Sequence, residues 1–148
     1  MRELVIKEGV LTSVAEHAAS TYPEESCGFL FGYEGGKAIS VVTTMPVENR
    51  RPDQRAKRYQ IGPVQYLKGE QFANESGCDF IGIYHSHPDH SAVPSHYDLE
   101  WAVPGFIYLI VNVLHGSVRD ARWWKLSPDR SKFVEVKRIR ETLEEDSS

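Results

Sequence analysis

The sequence predicts one mixed α/β (α+β) domain, a mixed central β-sheet flanked by helices, and three observations lead there. Its 148 residues match the usual size of a single domain and suffice for an apolar core without disulfide staples. A composition of 41% hydrophobic and 26% charged residues is that of an ordinary globular chain and excludes a disordered or low-complexity one. Segments with apolar residues at helical spacing interleave with short apolar, β-branched runs, and neither an internal repeat nor an interdomain linker interrupts them.

Val10, Leu11, Val14, Ala15 and Ala18 recur at helical spacing and stop before Pro23, which predicts a first helix over residues 9–21. Two strands follow, 27–33 and 38–42, joined as a hairpin through Glu34, Gly35 and Gly36. Residues 46–58 hold two prolines and, from Arg50 to Arg58, five cations, Arg50, Arg51, Arg55, Lys57 and Arg58, against the single carboxylate of Asp53, and read as a loop. Pro63 suits the first turn of a second helix that ends near Gly77, with Val64, Leu67, Phe72 and Ala73 as its apolar residues. A strand runs from Phe80 into His85, Ser86 and His87, and Pro88 ends it because proline has no amide to donate. A loop at 88–94, a helix from Ser95 to about Ala102 and strands near 106–114, 117–126 and 132–139 complete the domain at about residue 140. The acidic residues 141–148 read as a frayed, disordered tail.

A formal charge of −4 offers no global attraction to a phosphate backbone or an anionic bilayer, so neither nucleic acid nor membrane is an expected partner. The first residues lack a signal-peptide pattern, and the most apolar window, 106–114, is far shorter than the roughly 20 residues that span a bilayer. Cys27 and Cys78 read as reduced, packed thiols, which makes the cytoplasm the expected compartment.

The chemistry-bearing residues fall in two short signals. His85 and His87 are two apart on a strand, so their imidazoles share a face and are close enough to share a metal ion; a buried pair without metal has the same pattern. Ser95 and Asp98 open a helix with the spacing of a capping arrangement, and the same spacing puts both on one helix face. Together, His85, His87 and Asp98 would supply the three protein ligands that a catalytic zinc keeps, with water as the fourth. His90 and His96 compete for the third position but read as surface histidines. A hydrolytic site also needs a proton carrier. Glu24 and Glu25 are candidates, and the sequence alone does not choose between them or bring either to a site sixty residues downstream.

The segment Pro23-Glu24-Glu25-Ser26-Cys27-Gly28-Phe29-Leu30-Phe31-Gly32, followed by Gly82-Ile83-Tyr84-His85-Ser86-His87-Pro88, six residues, Ser95, two residues and Asp98, resembles the JAMM (MPN+) metalloprotease pattern at every motif position. The wording of the two segments is similar to the compact prokaryotic branch. The resemblance implies a JAB/MPN fold, distantly similar to that of cytidine deaminases, and one zinc ion on His85, His87 and Asp98. It also implies Glu25 as general acid and base, and Ser95 as donor to the developing oxyanion. Cys27 becomes a packing residue rather than a nucleophile.

By the same resemblance the substrate is a ubiquitin-like or sulfur-carrier β-grasp protein ending in Gly-Gly, cleaved after that diglycine. Release of a C-terminal cysteine or other extension in sulfur transfer or cysteine biosynthesis ranks first; removal of a ubiquitin-like modifier from lysine ranks second. The basic stretch from Arg50 to Arg58 is a candidate for docking an acidic partner or a plain solvated loop. A non-catalytic MPN scaffold is the rival from another class, and it calls for a broken motif. A zinc deaminase needs C-x-x-C, which this chain lacks.

Overall fold

The computed structural model describes residues 2–142. Eight strands and three helices alternate along the chain: β1 (Glu3–Lys7), α1 (Val10–Thr21), β2 (Cys27–Glu34), β3 (Ala38–Val47), α2 (Pro63–Ser76), β4 (Asp79–Pro88), α3 (His96–Glu100), β5 (Ile107–Leu114), β6 (Ser117–Leu126), β7 (Phe133–Val136) and β8 (Ile139–Thr142). The strands form one sheet in the order β7-β6-β5-β4-β2-β3-β1-β8. It is a mixed sheet, as expected: β4 pairs β5 and β1 pairs both β3 and β8 in parallel, while the remaining neighbours are antiparallel.

Each face of the sheet carries its own apolar cluster. On one, Val10, Val14 and Ala18 of α1 pack with Leu4, Ile6, Leu30, Val41 and Leu109. On the other, Ala73 of α2 packs with Phe29, Phe31, Ile83, Tyr108 and Ile110. The period of two along β2 divides its residues between these clusters, Leu30 to the first, Phe29 and Phe31 to the second. Among the glycines that close approach requires, two stand against aromatic rings. A Cβ at Gly28 would collide with the Tyr84 ring, whose hydroxyl is fixed by His17 at 2.6 Å, and one at Gly69 would stand 2.8 Å from Phe29 and Phe80, where α2 settles onto the sheet.

Several boundaries differ from the sequence expectation, each for a physical reason. β1 is additional: five residues with alternating burial, too short to announce themselves without the strands on either side. β3 continues through Pro46 to Val47, because β1 pairs β3 only at Ala38–Val41, and beyond that point proline's missing amide deprives no neighbour on that side. The expected strand at 132–139 is two strands. β7 pairs β6, and after a break at Lys137 and Arg138 the chain joins the opposite end of the sheet as β8. Within the expected tail, Glu141 and Thr142 therefore pair with Ile6 and Lys7, and residues 143–148 lie outside the described residues. On α2, Val64 and Leu67 are exposed, while Gly69 and Ala73 are buried and Tyr66 and Phe72 pack their rings on Phe29 and Phe31. No described helix is long and apolar enough to cross a membrane.

Candidate active site

The phase of β4 determines where its histidines point. Opposite the step from Leu30 to Phe31 in β2, β4 carries an extra residue: Leu30 faces Gly82, Phe31 faces Phe80, and Ile81 is bulged. A bulge resets which residues face which side. Ile81 and Tyr84 thus share the α1 face although three apart, and from Ile83 onward the alternate residues belong to the α2 face. His85 and His87 follow in that phase, both essentially inaccessible. Pairing with β2 ends at Cys27 and His85, while pairing with β5 continues to Pro88, so the last residues of β4 have an open side.

Helix α3 fills that opening with Asp98. Ser95 caps the helix, its Oγ accepting from the Asp98 amide at 3.1 Å while its own amide donates to Asp98 Oδ2 at 2.8 Å. The capping arrangement is thus present, and it orients the carboxylate toward the strand. Asp98 Oδ1 lies 3.1 Å from His85 Nε2 and Oδ2 lies 3.0 Å from His87 Nε2. Burial works against the Asp98 charge, but the two imidazoles outweigh it and hold the carboxyl well below the usual carboxylate range.

The donor set fits a divalent metal. His87 Nδ1 faces the Ser91 carbonyl at 2.7 Å, and a carbonyl only accepts, so the ring hydrogen sits on Nδ1 and in the neutral ring Nε2 presents a lone pair. That lone pair and a carboxylate oxygen face each other at 3.0 Å with two acceptors and no donor between them, an arrangement a cation resolves. Both ring nitrogens of His85 are buried without a hydrogen-bond partner among the described residues. A tetrahedral ion with bonds of 2.0–2.2 Å holds its ligand atoms roughly 3.3 Å apart; the three donors here all lie within 4.8 Å of one another. His90 and His96 contribute no donor: both are exposed, and the His90 ring packs on His87 with centroids 4.2 Å apart.

The structure separates the two glutamates. Glu24 is exposed, whereas Glu25 is buried with Oε1 lacking a partner. Burial, and then the Asp98 charge, push the Glu25 carboxyl up to about 9. Two serines tie its segment to the end of β4. Ser86, between the histidines, accepts from the Ser26 amide at 2.8 Å and from the Ser26 hydroxyl at 3.0 Å, and its own amide donates to the Ser26 carbonyl at 3.1 Å. This buried clasp ties the residue after Glu25 to the residue between the imidazoles. Cys27 is a free thiol raised to about 12 by burial and then by Glu25, which disfavours the thiolate a nucleophile requires.

The basic loop closes the site. Asn49 donates to the carbonyls of Glu25 and Arg58 at 3.2 and 3.0 Å and accepts from the amides of Arg51 and Gln60, while the Glu25 amide donates to the Arg55 carbonyl at 2.7 Å. Tyr59 is thereby stacked on His85, ring centroids 4.6 Å apart. The Arg58 guanidinium lies 3.5 Å over the Tyr97 ring and donates to its hydroxyl, joining loop to α3. Between them opens a cavity of about 570 Å³ that reaches Asp98. Another, of about 780 Å³, lies between β1 and β6–β7 and touches none of these residues. Sequence reading passed over Ser26, Ser86, Asn49 and Tyr59. Ser86 lies inside the H-x-H signal and was within reach; the others carry no local pattern.

Residues 7–127 match the family model described as prokaryotic homologs of the JAB domain. Among curated proteins, the chain is 35% identical over 105 residues to a desampylase of Haloferax volcanii, covering 70% of this chain and 73% of that protein. It is 31% identical over 138 residues to a desampylase of Pyrococcus furiosus, covering 90% and 88%. A CysO-cysteine peptidase of Mycobacterium tuberculosis is 29% identical over 110 residues, covering 74% and 73%. Among solved structures, a protein from Salinibacter ruber superposes with a TM-score of 0.73 at 39% identity, covering 95% of this chain and 91% of that one. A JAB1/MPN domain protein from Archaeoglobus fulgidus superposes at 0.58 and 20% identity, covering 96% and 99%, a likeness of fold.

Proposed function

This chain belongs to the family of prokaryotic homologs of the JAB domain, and from that membership we propose that it is a zinc-dependent peptidase cleaving after the C-terminal Gly-Gly of a ubiquitin-like sulfur-carrier protein. The observation that carries the reading is the buried cluster of His85, His87 and Asp98, together with a buried, unpartnered Glu25 carboxyl that feels the Asp98 charge. Zinc, held by those three side chains with its fourth position left to water, would polarise the scissile carbonyl and make water acidic near neutral pH.

The chain's own residues do the rest. Glu25 takes a proton from the attacking water and returns it to the departing amine. Its buried setting favours the neutral carboxyl and so suits the half of the cycle in which it holds that proton. Ser95 Oγ accepts from the Asp98 amide and keeps its own O–H to donate to the carbonyl oxygen as charge develops there. The C–N bond after the second glycine breaks, water's oxygen stays on the glycine, and the amine leaves. The scaffold alternative calls for a broken donor set, and all five positions are filled.

Release of a C-terminal residue matches the name of the CysO-cysteine peptidase; removal of a modifier from lysine is a second reading, favoured by the higher identity to two desampylases. Mass spectrometry of a carrier ending Gly-Gly-Cys, before and after incubation, tests the first. The extension should be lost, retained under a chelator and lost again after zinc is restored. An intact carrier alongside a cleaved lysine conjugate favours the second reading, and failure on both substrates overturns the peptidase.

A further inference from the structure

The five cations of the basic loop do not act as one patch. Arg55 turns back so that its Nε donates to the Arg51 carbonyl at 2.7 Å, and Arg50 stands 3.9 Å from Glu48. Arg51, Lys57 and Arg58 instead line the 570 Å³ cavity that ends at Asp98, together with Tyr97 and Trp101. Arg51 is paired with Asp53 at 3.2 Å, while no carboxylate among the described residues lies within ion-pair distance of Lys57 or Arg58. Of the cavity's two acidic side chains, Asp98 faces the histidines, which leaves Glu100 against the two cations, Lys57 and Arg58, that have no ion-pair partner among the described residues. Stacking on Tyr97 holds the Arg58 guanidinium in place, so its remaining N–H groups are preorganised to meet a planar anion.

A diglycine tail has no charge near the scissile bond. One residue beyond it, a C-terminally extended carrier has one: the free α-carboxylate of the residue that leaves. A lysine linkage offers no carboxylate at that distance. The folded body of a carrier, several tail residues away, would meet the loop's outward face at Arg50 and Arg55 rather than the cavity. Resting on the peptidase reading above, we propose that Lys57 and Arg58 form the receptor for that terminal carboxylate, and that the enzyme is built to trim a C-terminal residue from its carrier. Tyr97 and Trp101, the latter 74% exposed, offer an aromatic wall to the leaving side chain.

The test uses two carriers that differ only at the end, Gly-Gly-Cys with a free carboxylate and the same chain as a C-terminal amide. The amide should lose roughly 10- to 100-fold in kcat/KM, chiefly through KM, as expected for a charge-assisted contact made on binding. Arg58→Gln and Lys57→Gln should each move the ratio between the two substrates toward one, and Arg58→Lys should keep part of it. Titration calorimetry on the zinc-loaded Glu25→Gln protein should show the same preference without turnover. If Arg58→Gln does not fold, Lys57→Gln, at an exposed position, carries the comparison. Equal cleavage of both carriers by the wild type overturns the receptor and leaves the peptidase standing, as does a ratio unchanged in the variants. Cleavage of neither carrier nor of a lysine conjugate overturns the peptidase itself.

Discussion

Glu25 and Asp98 are both buried carboxyls, yet they are displaced in opposite directions. Asp98 is in direct contact with the histidines and is held ionised, whereas Glu25 feels burial and the Asp98 charge and is raised to about 9. Opposed environments of this kind separate a ligand from a proton carrier. Glu25→Gln should therefore retain zinc, measured by elemental analysis, while losing roughly 10²- to 10⁴-fold in turnover; Asp98→Asn should lose the metal first. Zinc loss in the Glu25 variant would reverse the two roles. A second consequence concerns stability without metal. Since the folded value of about 9 stands above the ordinary 4.5, the carboxyl's contribution is intact below pH 4.5 and is lost progressively as pH rises toward 9. Chelated Glu25→Gln protein should accordingly be more stable than chelated wild type, by roughly 1–3 kcal/mol near pH 7. The gap should widen between pH 5 and pH 8 in thermal melts; a gap constant with pH would show that Glu25 is ionised in the metal-free fold.

At the scale of elements, the site is a meeting of ends: the start of β2, the end of β4 and the first turn of α3. The clasp of Ser26 and Ser86 joins the strands where their regular pairing stops at Cys27 and His85. Helix α3 has only five residues, so its cap matters more than it would in a long helix. Ser95→Ala should cost about 1 kcal/mol through the lost cap and, if its hydroxyl also serves the oxyanion, lower kcat by roughly 10²- to 10³-fold. Both are measurable on one preparation, and a stability loss with kcat intact would confine Ser95 to the cap. The H-x-H and S-x-x-D signals were legible because strand and helix periods turn spacing into direction. The apolar face expected of α2 holds at Phe72 and Ala73 but not at Val64 and Leu67, which are exposed, and it lacks Gly69, whose missing side chain lets the helix approach Phe29 and Phe80.

For the whole molecule, the organising fact is that the basic loop is tied to the segment leading into β2 as well as covering the site. Asn49 bridges the carbonyls of Glu25 and Arg58, so the loop that lines the cavity and the segment that carries the Glu25 carboxyl are held together. Its outward cations remain available for a partner's body. Arg55→Glu should raise KM for an acidic carrier at low salt and have little effect near 0.5 M salt, where the Debye length is only about 4 Å; kinetics indifferent to ionic strength in both proteins would make this face of the loop a solvated surface.

The sequence by itself determined the mixed fold class and the donor types of the site, because both are written in short-range periods that any local segment obeys. It also marked the proline-rich basic stretch as a loop, though not what the loop covers. Only the tertiary structure showed Glu25 buried and Glu24 exposed, placed β1 and β8 at one end of the sheet, divided residues 132–139 between its two ends, and sorted the cations into an inward and an outward set. These outcomes depend on pairings between residues far apart in the chain, and on a one-residue bulge at Ile81 that sets the phase of both histidines. Spacing along a chain does not encode such relations; the packing of its two apolar clusters does.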